Sequence, residues 1–301
     1  MNKKTTPITL TETEYALPGN RACTGCGLSI AYRHGLKALG ENIILTVPAS
    51  CLTVLQGMYP VSSMTVPCLN TAFETTAASA SGIRAALKAL GKEDITVIGW
   101  AGDGGTADIG IQALSGAAER NTDFIYVCYD NEAYMNTGTQ KSGSTPKGAW
   151  TTTSVGGKME HKKDMARIMA AHDVPYVVTV SPSYPMDLHD KFKKAKEMSG
   201  TRYIHILVPC PPGWGYDPQY TVKMGRMAIE CGMFDLYEII DGRFEFYGPS
   251  KKLAEKGGRK PIDEYIKAQT RFGKVSDETI AELQAWVDQK WATYRQMGYC
   301  E

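Results

Sequence analysis

Asp103 stands between Gly102 and Gly104 in the run Ala101-Gly102-Asp103-Gly104-Gly105-Thr106-Ala107-Asp108, and Asp130-Asn131-Glu132 closes the next apolar run, with Asn131 28 residues after Asp103. A carboxylate and an amide oxygen are hard donors. They suit Mg²⁺, which keeps near-octahedral geometry and shares its sites with phosphate oxygens. Gly102, Gly104 and Gly105 let the backbone approach phosphates closely, and a helix starting there would add N–H donors and a favourable dipole. Gly-Asp-Gly alone also serves plain turn geometry. The Asp-Asn pair at the following strand end turns the pattern toward chemistry. No Gly-x-x-x-x-Gly-Lys-Ser/Thr loop occurs, and no Gly-x-Gly-x-x-Gly follows the first strand, which speaks against a nicotinamide site.

Thiols form the second candidate. Cys23 and Cys26 make a CxxC, Cys51 follows 25 residues later, and Cys68, Cys128, Cys210, Cys231 and Cys300 are scattered. Such spacing in a chain of this length is not a disulfide scaffold, which points to a reducing compartment, the cytoplasm. CxxC alone leaves zinc, a redox dithiol and iron–sulfur open. A thioredoxin-like dithiol fits poorly, because a polar arm rather than a strand precedes it. Cys51 follows the first strand and Cys210 the last, so both should project from the carboxyl edge of a sheet, the same edge as the Asp103–Asn131 corner. Cys68, Cys128, Cys231 and Cys300 read as ordinary thiols, Cys128 as a small core residue. His34, His161, His172, His189 and His205 show no ligand spacing.

The elements that must position these groups alternate. Residues 28–39 carry a helical period stopped by Gly40, and 43–47 form a β-branched run halted by Pro48. Residues 71–90 are alanine-rich and predict a closely packed helix. Strands are expected at 95–100, 124–129, 176–180 and 203–208, and helices at 107–120, 164–171 and 185–198, the last with its lysines in water. Nearly continuous apolar strands separated by helices argue for an α/β fold, a mostly parallel sheet with helices on both faces. Ligands then sit beyond the carboxyl ends of the strands. Beyond residue 220 the pattern changes to a hairpin over 237–247 turning at Asp241-Gly242, a basic loop at 251–260 and a helix at 277–297. The expected organisation is a ligand-binding α/β domain over residues 1–220 and a C-terminal extension over 221–301, packed on it or on partner chains.

Composition bounds the partners. The 301 residues carry 33 Lys+Arg against 32 Asp+Glu, are 43% hydrophobic and 22% charged, and so fit an ordinary globular protein without a nucleic-acid or membrane-surface bias. No apolar run is long enough to span a membrane. The basic start Met1-Asn2-Lys3-Lys4 runs into Thr5-Thr6-Pro7, which is not a secretory leader.

The stretches Gly99-Trp100-Ala101-Gly102-Asp103-Gly104-Gly105-Thr106-Ala107-Asp108-Ile109-Gly110 and Tyr129-Asp130-Asn131-Glu132-Ala133-Tyr134-Met135-Asn136-Thr137-Gly138 resemble the thiamine diphosphate-binding β subunit of 2-oxoacid:ferredoxin oxidoreductases. The likeness runs from Pro18-Gly19-Asn20-Arg21-Ala22-Cys23 to the C-terminal helix. It implies the diphosphate-binding half of the thiamine diphosphate fold. It also implies Mg²⁺ on Asp103, Asn131 and the Ala133 carbonyl, diphosphate on Gly104, Gly105 and Thr106, and Met135 and Asn136 beside the thiazolium, Asn136 as the catalytic donor. Ala49, Ser50, Leu52, Asn70 and Gly102 complete the implied cofactor contacts, Asn70 possible as a substitute for a histidine. Cys23, Cys26, Cys51 and Cys210 are implied as ligands of one 4Fe–4S cluster.

The resemblance further implies oxidative decarboxylation of a 2-oxo acid, with coenzyme A as cosubstrate and ferredoxin as electron acceptor. Partner α, γ and δ subunits follow, the α chain bringing the carboxylate that activates the aminopyrimidine. Pyruvate members have a Trp and a His where this chain has Val66-Pro67-Cys68-Leu69-Asn70-Thr71, while Pro48-Ala49-Ser50-Cys51 and Gly148-Ala149-Trp150-Thr151-Thr152 are similar to the branched-chain members. The expected substrate is therefore a branched-chain or aryl 2-oxo acid such as phenylglyoxylate, followed by pyruvate. The competing readings are an oxalate-type enzyme without coenzyme A, a non-redox thiamine diphosphate lyase and a zinc-stabilised binding module.

Overall fold

The computed structural model describes residues 4–299; Cys300 lies outside them. Eight strands form one sheet in the order β2-β1-β3-β4-β6-β5-β7-β8. These are β1 (Ile43–Pro48), β2 (Cys68–Thr71), β3 (Thr96–Gly102), β4 (Phe124–Asp130), β5 (Tyr176–Val180), β6 (Thr201–Leu207), β7 (Tyr237–Ile240) and β8 (Arg243–Phe246). The first six are parallel, and β7 joins β5 antiparallel and pairs with β8. The β7–β8 turn falls at Asp241-Gly242, both residues with positive φ (47° and 77°), as a two-residue hairpin requires.

Side chains along the central strands alternate between two cores. From β4, Phe124, Tyr126 and Cys128 enter one core, and Ile125, Val127 and Tyr129 the other. The first core is covered by α3 (Thr76–Ala89), α4 (Ile111–Glu119), α5 (Met165–Ala170), α8 (Thr221–Glu230) and α11 (Asp277–Gln296). The second is covered by α1 (Gly27–Leu39), α2 (Cys51–Gln56) and α6 (Pro185–Glu197). There Trp100 lies between Tyr32, edge-on with ring centroids 5.0 Å apart, and Phe192, stacked at 5.4 Å. Each such fully buried ring contributes on the order of 1.5–3 kcal/mol.

Three local expectations give way. The helix expected over 71–90 begins only at Thr76, because residues 68–71 pair with β1 as an edge strand. The helix expected from 107 is split: Gly104–Asp108 forms a π-helical turn, and regular α-helix starts at Ile111. The basic loop at 251–260 contains α9 (Gly248–Lys256), opened by Pro249 at its second position. A last short helix, α10 (Asp263–Lys267), precedes the turn Thr270–Phe272. Among the described residues no helix is long and apolar enough to cross a membrane.

Candidate active site at the carboxyl edge of the sheet

Strands β3 and β4 run side by side, pairing Gly102 with Tyr129, so Asp103 and Asn131 emerge together beyond their carboxyl ends. Asn131 Oδ1 faces two other oxygens, the Ala133 carbonyl at 2.8 Å and Asp103 Oδ1 at 3.0 Å. Turning the amide over would let its NH₂ donate to both. The corner therefore has two satisfied states, the amide N–H groups turned inward as donors or the amide oxygen inward around a cation. Adjacent ligands about 2.0–2.1 Å from an octahedral Mg²⁺ stand about 2.9 Å apart, so the spacing fits that ion. Asp103 is 1% exposed. Its burial, with the Asp130 charge nearby, pushes its carboxyl well above the usual carboxylate range. A buried carboxylate lacking a cation of its own is the electrostatic complement of a bound metal. Its other oxygen accepts a hydrogen bond from the Ser142 hydroxyl.

A cleft of about 140 Å³ opens beside this corner. Of the residues expected to bind cofactor, Ala49, Ser50, Gly102, Gly104, Gly105, Met135 and Asn136 line it, together with Asp103, Asn131 and Ala133. Three do not. The Thr106 hydroxyl turns back to the Gly102 carbonyl at 2.7 Å, Leu52 is fully buried behind the cleft, and Asn70 lies exposed on the edge strand, accepting from Gln56 Nε2 at 2.9 Å. Cys68, also on that strand, bonds with Gln56 and lies outside the cleft. Phe73, Tyr129, Tyr134 and Thr137 line it without having been singled out.

Cys23, Cys26, Cys51 and Cys210 line one second cavity, although 187 residues separate the first from the last. The approach is made by glycines: Gly25 has φ 69°, and a Cβ on it or on Gly27 would strike backbone of residues 218 and 209 at 2.5 and 2.9 Å. The amide of Gly27 donates to the Pro209 carbonyl at 3.3 Å, tying the CxxC turn to the Cys210 loop. Burial pushes the Cys51 and Cys210 thiols up to about 12, and Cys26 upward as well. Among the described residues no group of three or more His, Cys, Asp or Glu side chains closes on a single metal-ion position. The Asp103–Asn131–Ala133 corner, with one carboxylate among its three oxygens, is not such a group. Both cavities share Cys51, Asn131 and Asn136.

Behind the corner lies a buried charge network. Lys162 Nζ reaches Asp130 Oδ2 and Glu132 Oε1, each at 2.9 Å, and His205 Nε2 lies 3.0 Å from Asp130 Oδ2. Burial opposes charge on Asp130, but Lys162 and His205 outweigh it and hold this carboxyl below its ordinary value.

The fold and the corner define a thiamine pyrophosphate enzyme: residues 49–206 match the family model described as the C-terminal TPP binding domain of these enzymes. The chain is 51% identical over 283 residues to pyruvate synthase subunit PorB of Methanothermobacter thermautotrophicus, covering 92% of this chain and 96% of that one. It is 45% identical over 301 residues to ketoisovalerate oxidoreductase subunit VorB of Pyrococcus abyssi, covering 97% and 96%. The fold is also that of a 2-oxoglutarate:ferredoxin oxidoreductase from Magnetococcus marinus, with a TM-score of 0.58 at 20% identity over 70% of this chain and 79% of that one. The chain belongs to the β subunits of the 2-oxoacid:ferredoxin oxidoreductases.

Proposed function

We propose that this β subunit supplies the magnesium–diphosphate half of the active site and one 4Fe–4S cluster beside it. The observation that carries the reading is the meeting of the two sites, three inward-facing oxygens and four sulfurs on adjoining cavities. Asp103, Asn131 and the Ala133 carbonyl would hold Mg²⁺, with Gly102, Gly104 and Gly105 bringing backbone to the diphosphate. Cys23, Cys26, Cys51 and Cys210, which line one cavity, would ligate the cluster. Thiamine diphosphate, when bound, supplies the carbanion chemistry that allows a 2-oxo acid to lose CO₂. Asn136, exposed where the cavities adjoin, would donate a hydrogen bond to the substrate carboxylate or developing oxyanion.

In the net reaction a 2-oxo acid, coenzyme A and two oxidised ferredoxins give acyl-CoA, CO₂, a proton and two reduced ferredoxins. The carbon–carbon bond to the carboxylate breaks, a thioester forms, and two electrons leave singly. The cleft, smaller than the about 300–1,000 Å³ of a complete small-molecule pocket, would hold part of the cofactor. Asp103 is its only acidic side chain, already committed to the cation. The carboxylate for the aminopyrimidine would therefore come from a partner α chain, with γ and δ chains for further electron transfer. The proposed substrate is pyruvate or the branched-chain 2-oxoisovalerate, the two kinds of substrate that the relatives' names specify.

The test is cofactor and metal analysis of the anaerobically purified complex and of its Cys51→Ser form, with viologen reduction on pyruvate, 2-oxoisovalerate, phenylglyoxylate and oxalate, with and without coenzyme A. Bound thiamine diphosphate, iron that falls by one cluster in Cys51→Ser, and coenzyme A-dependent turnover of one of the first two acids support the reading. Zinc in place of iron, or a Cys51→Ser form with full iron and activity, overturns it.

A further inference from the structure

Glu132 sits between two of the three corner residues, Asn131 and Ala133, with φ 67°, a left-handed conformation that side-chain-bearing residues keep only where the surroundings enforce it. Its carboxylate is buried at 4% exposure. Lys162 holds Oε1, and Arg271 donates to Oε2 at 2.6 Å. The Arg271 guanidinium lies 4.2 Å from the centre of the Trp214 ring, and its Nε donates to Gln269 Oε1 at 2.9 Å. Trp214 in turn donates through Nε1 to the Asn131 carbonyl at 2.8 Å. One guanidinium stacked on one indole therefore grips both the residue that makes the turn and, through the ring, the peptide that precedes it.

We infer that Arg271 and Trp214 are positioning residues for the cation: they hold the Asn131–Glu132–Ala133 turn in the one shape that directs the Asn131 amide oxygen and the Ala133 carbonyl to the same point as Asp103. The inference rests on reading those three as the Mg²⁺ ligands. Neither side chain touches the three-oxygen corner, so each acts through the turn. The charge on Glu132 alone does not explain the arrangement, since Lys162 already pairs with it. A planar fork that stacks on an aromatic face while bonding a carboxylate is a property of arginine rather than lysine. Arg271 belongs to the C-terminal extension and lies 139 residues from Glu132, which gives the extension a part in cofactor binding besides packing.

The experiment uses the complete complex, stripped of cofactor by chelation. Mg²⁺ half-saturation is measured at fixed thiamine diphosphate, from the circular dichroism of the bound cofactor and from the cofactor retained after desalting. Thermal unfolding of the stripped form is followed in parallel. Arg271→Met is expected to raise the half-saturating Mg²⁺ about 10–100-fold, the usual effect of losing an outer partner of a metal site. Arg271→Lys should recover only part of this, and Trp214→Phe, which keeps an aromatic ring but loses the indole N–H and some buried volume, should raise it several-fold with a modest drop in unfolding temperature.

Unchanged Mg²⁺ half-saturation in Arg271→Lys and Trp214→Phe overturns the inference, even if Arg271→Met does not assemble. So does a loss of unfolding temperature in these forms without a change in Mg²⁺ dependence. Asp103→Asn separates the underlying reading. If it destroys Mg²⁺-dependent cofactor binding while the other variants bind normally, the corner stands and the positioning role falls. If Asp103→Asn binds Mg²⁺ normally, both fall together.

Discussion

Gly213 and Met135 leave room for each other only because Gly213 has no side chain: a Cβ there would stand 2.1 Å from the Met135 sulfur and 3.4 Å from Cys210 Sγ. The loop that carries Cys210 and the loop that carries Met135 at the cleft are thus in direct contact. Gly213→Ala tests what that contact is for. The nearer clash is with the end of a flexible thioether, so the fold should survive at a cost of about 1–3 kcal/mol. Met135 lines the cleft and would have to turn, and half-saturation by thiamine diphosphate should rise several-fold while iron content stays normal. Steady-state kinetics against iron and sulfide analysis checks this. A variant that loses its iron first would show that the glycine serves the cysteine loop instead.

The eight cysteines should divide into two behaviours. Serine at Cys23, Cys26, Cys51 or Cys210 would remove one of the four proposed cluster ligands, and each variant is expected to lose the iron and the labile sulfide of one cluster from the anaerobic complex. Serine at Cys68 is the control, because that thiol is half-buried on the edge strand beside Gln56 and outside both cavities. The upward push on the Cys26, Cys51 and Cys210 thiols means that each must shed a proton to bind iron, so ligation is favoured as pH rises. Elemental analysis and the low-temperature electron paramagnetic resonance of the reduced complex separate the two groups.

Asn136 lines both cavities while remaining exposed, so its amide is open to a ligand in either. Asn136→Ala should lower kcat by about 10²-fold, the effect of removing one donor aimed at developing charge. Iron content, Mg²⁺ dependence and unfolding temperature should stay close to the parent's. A merely local turn role predicts the reverse, a lower unfolding temperature and nearly unchanged kcat.

The sheet was legible because its parallel strands are near-continuous apolar runs that must be buried on both faces, as Ile125 and Val127 on one side and Phe124 and Tyr126 on the other are. β2 was not, since an edge strand reading Cys68-Leu69-Asn70-Thr71 is half in water and carries no apolar period. Within the site, Asp103, Asn131 and the CxxC could be found because their meaning is local. Ser142 on Asp103, Lys162 on Asp130 and Arg271 on Glu132 could not, because these contacts span 39, 32 and 139 residues and no spacing encodes them. The same distance hid the aromatic lining: Phe73 and Tyr134 stack 5.7 Å apart only after β2, β1, β3 and β4 have been laid side by side.

Outside both cavities, Asp187 on α6 gives the fold a pH dependence of its own. Burial pushes its carboxyl up from 3.8 to about 6, Lys191 pulling it down in part while Glu238 and Asp190 add to the rise. Its Oδ2 is buried without a hydrogen-bond partner. Well below pH 3.8 the acid is protonated in both folded and unfolded chains, and ionisation costs nothing. Between there and pH 6 the unfolded chain ionises while the folded one holds its proton, so stability falls as pH rises, and above pH 6 the full penalty remains. That penalty is on the order of 1–3 kcal/mol. Asp187→Asn removes the charge and keeps the shape. Thermal unfolding of the complex should therefore show the variant more stable than the parent at pH 8, with most of that difference gone near pH 4. A variant less stable than the parent at pH 8 would mean that the attraction to Lys191, rather than the loss of water, decides the energy of this carboxylate.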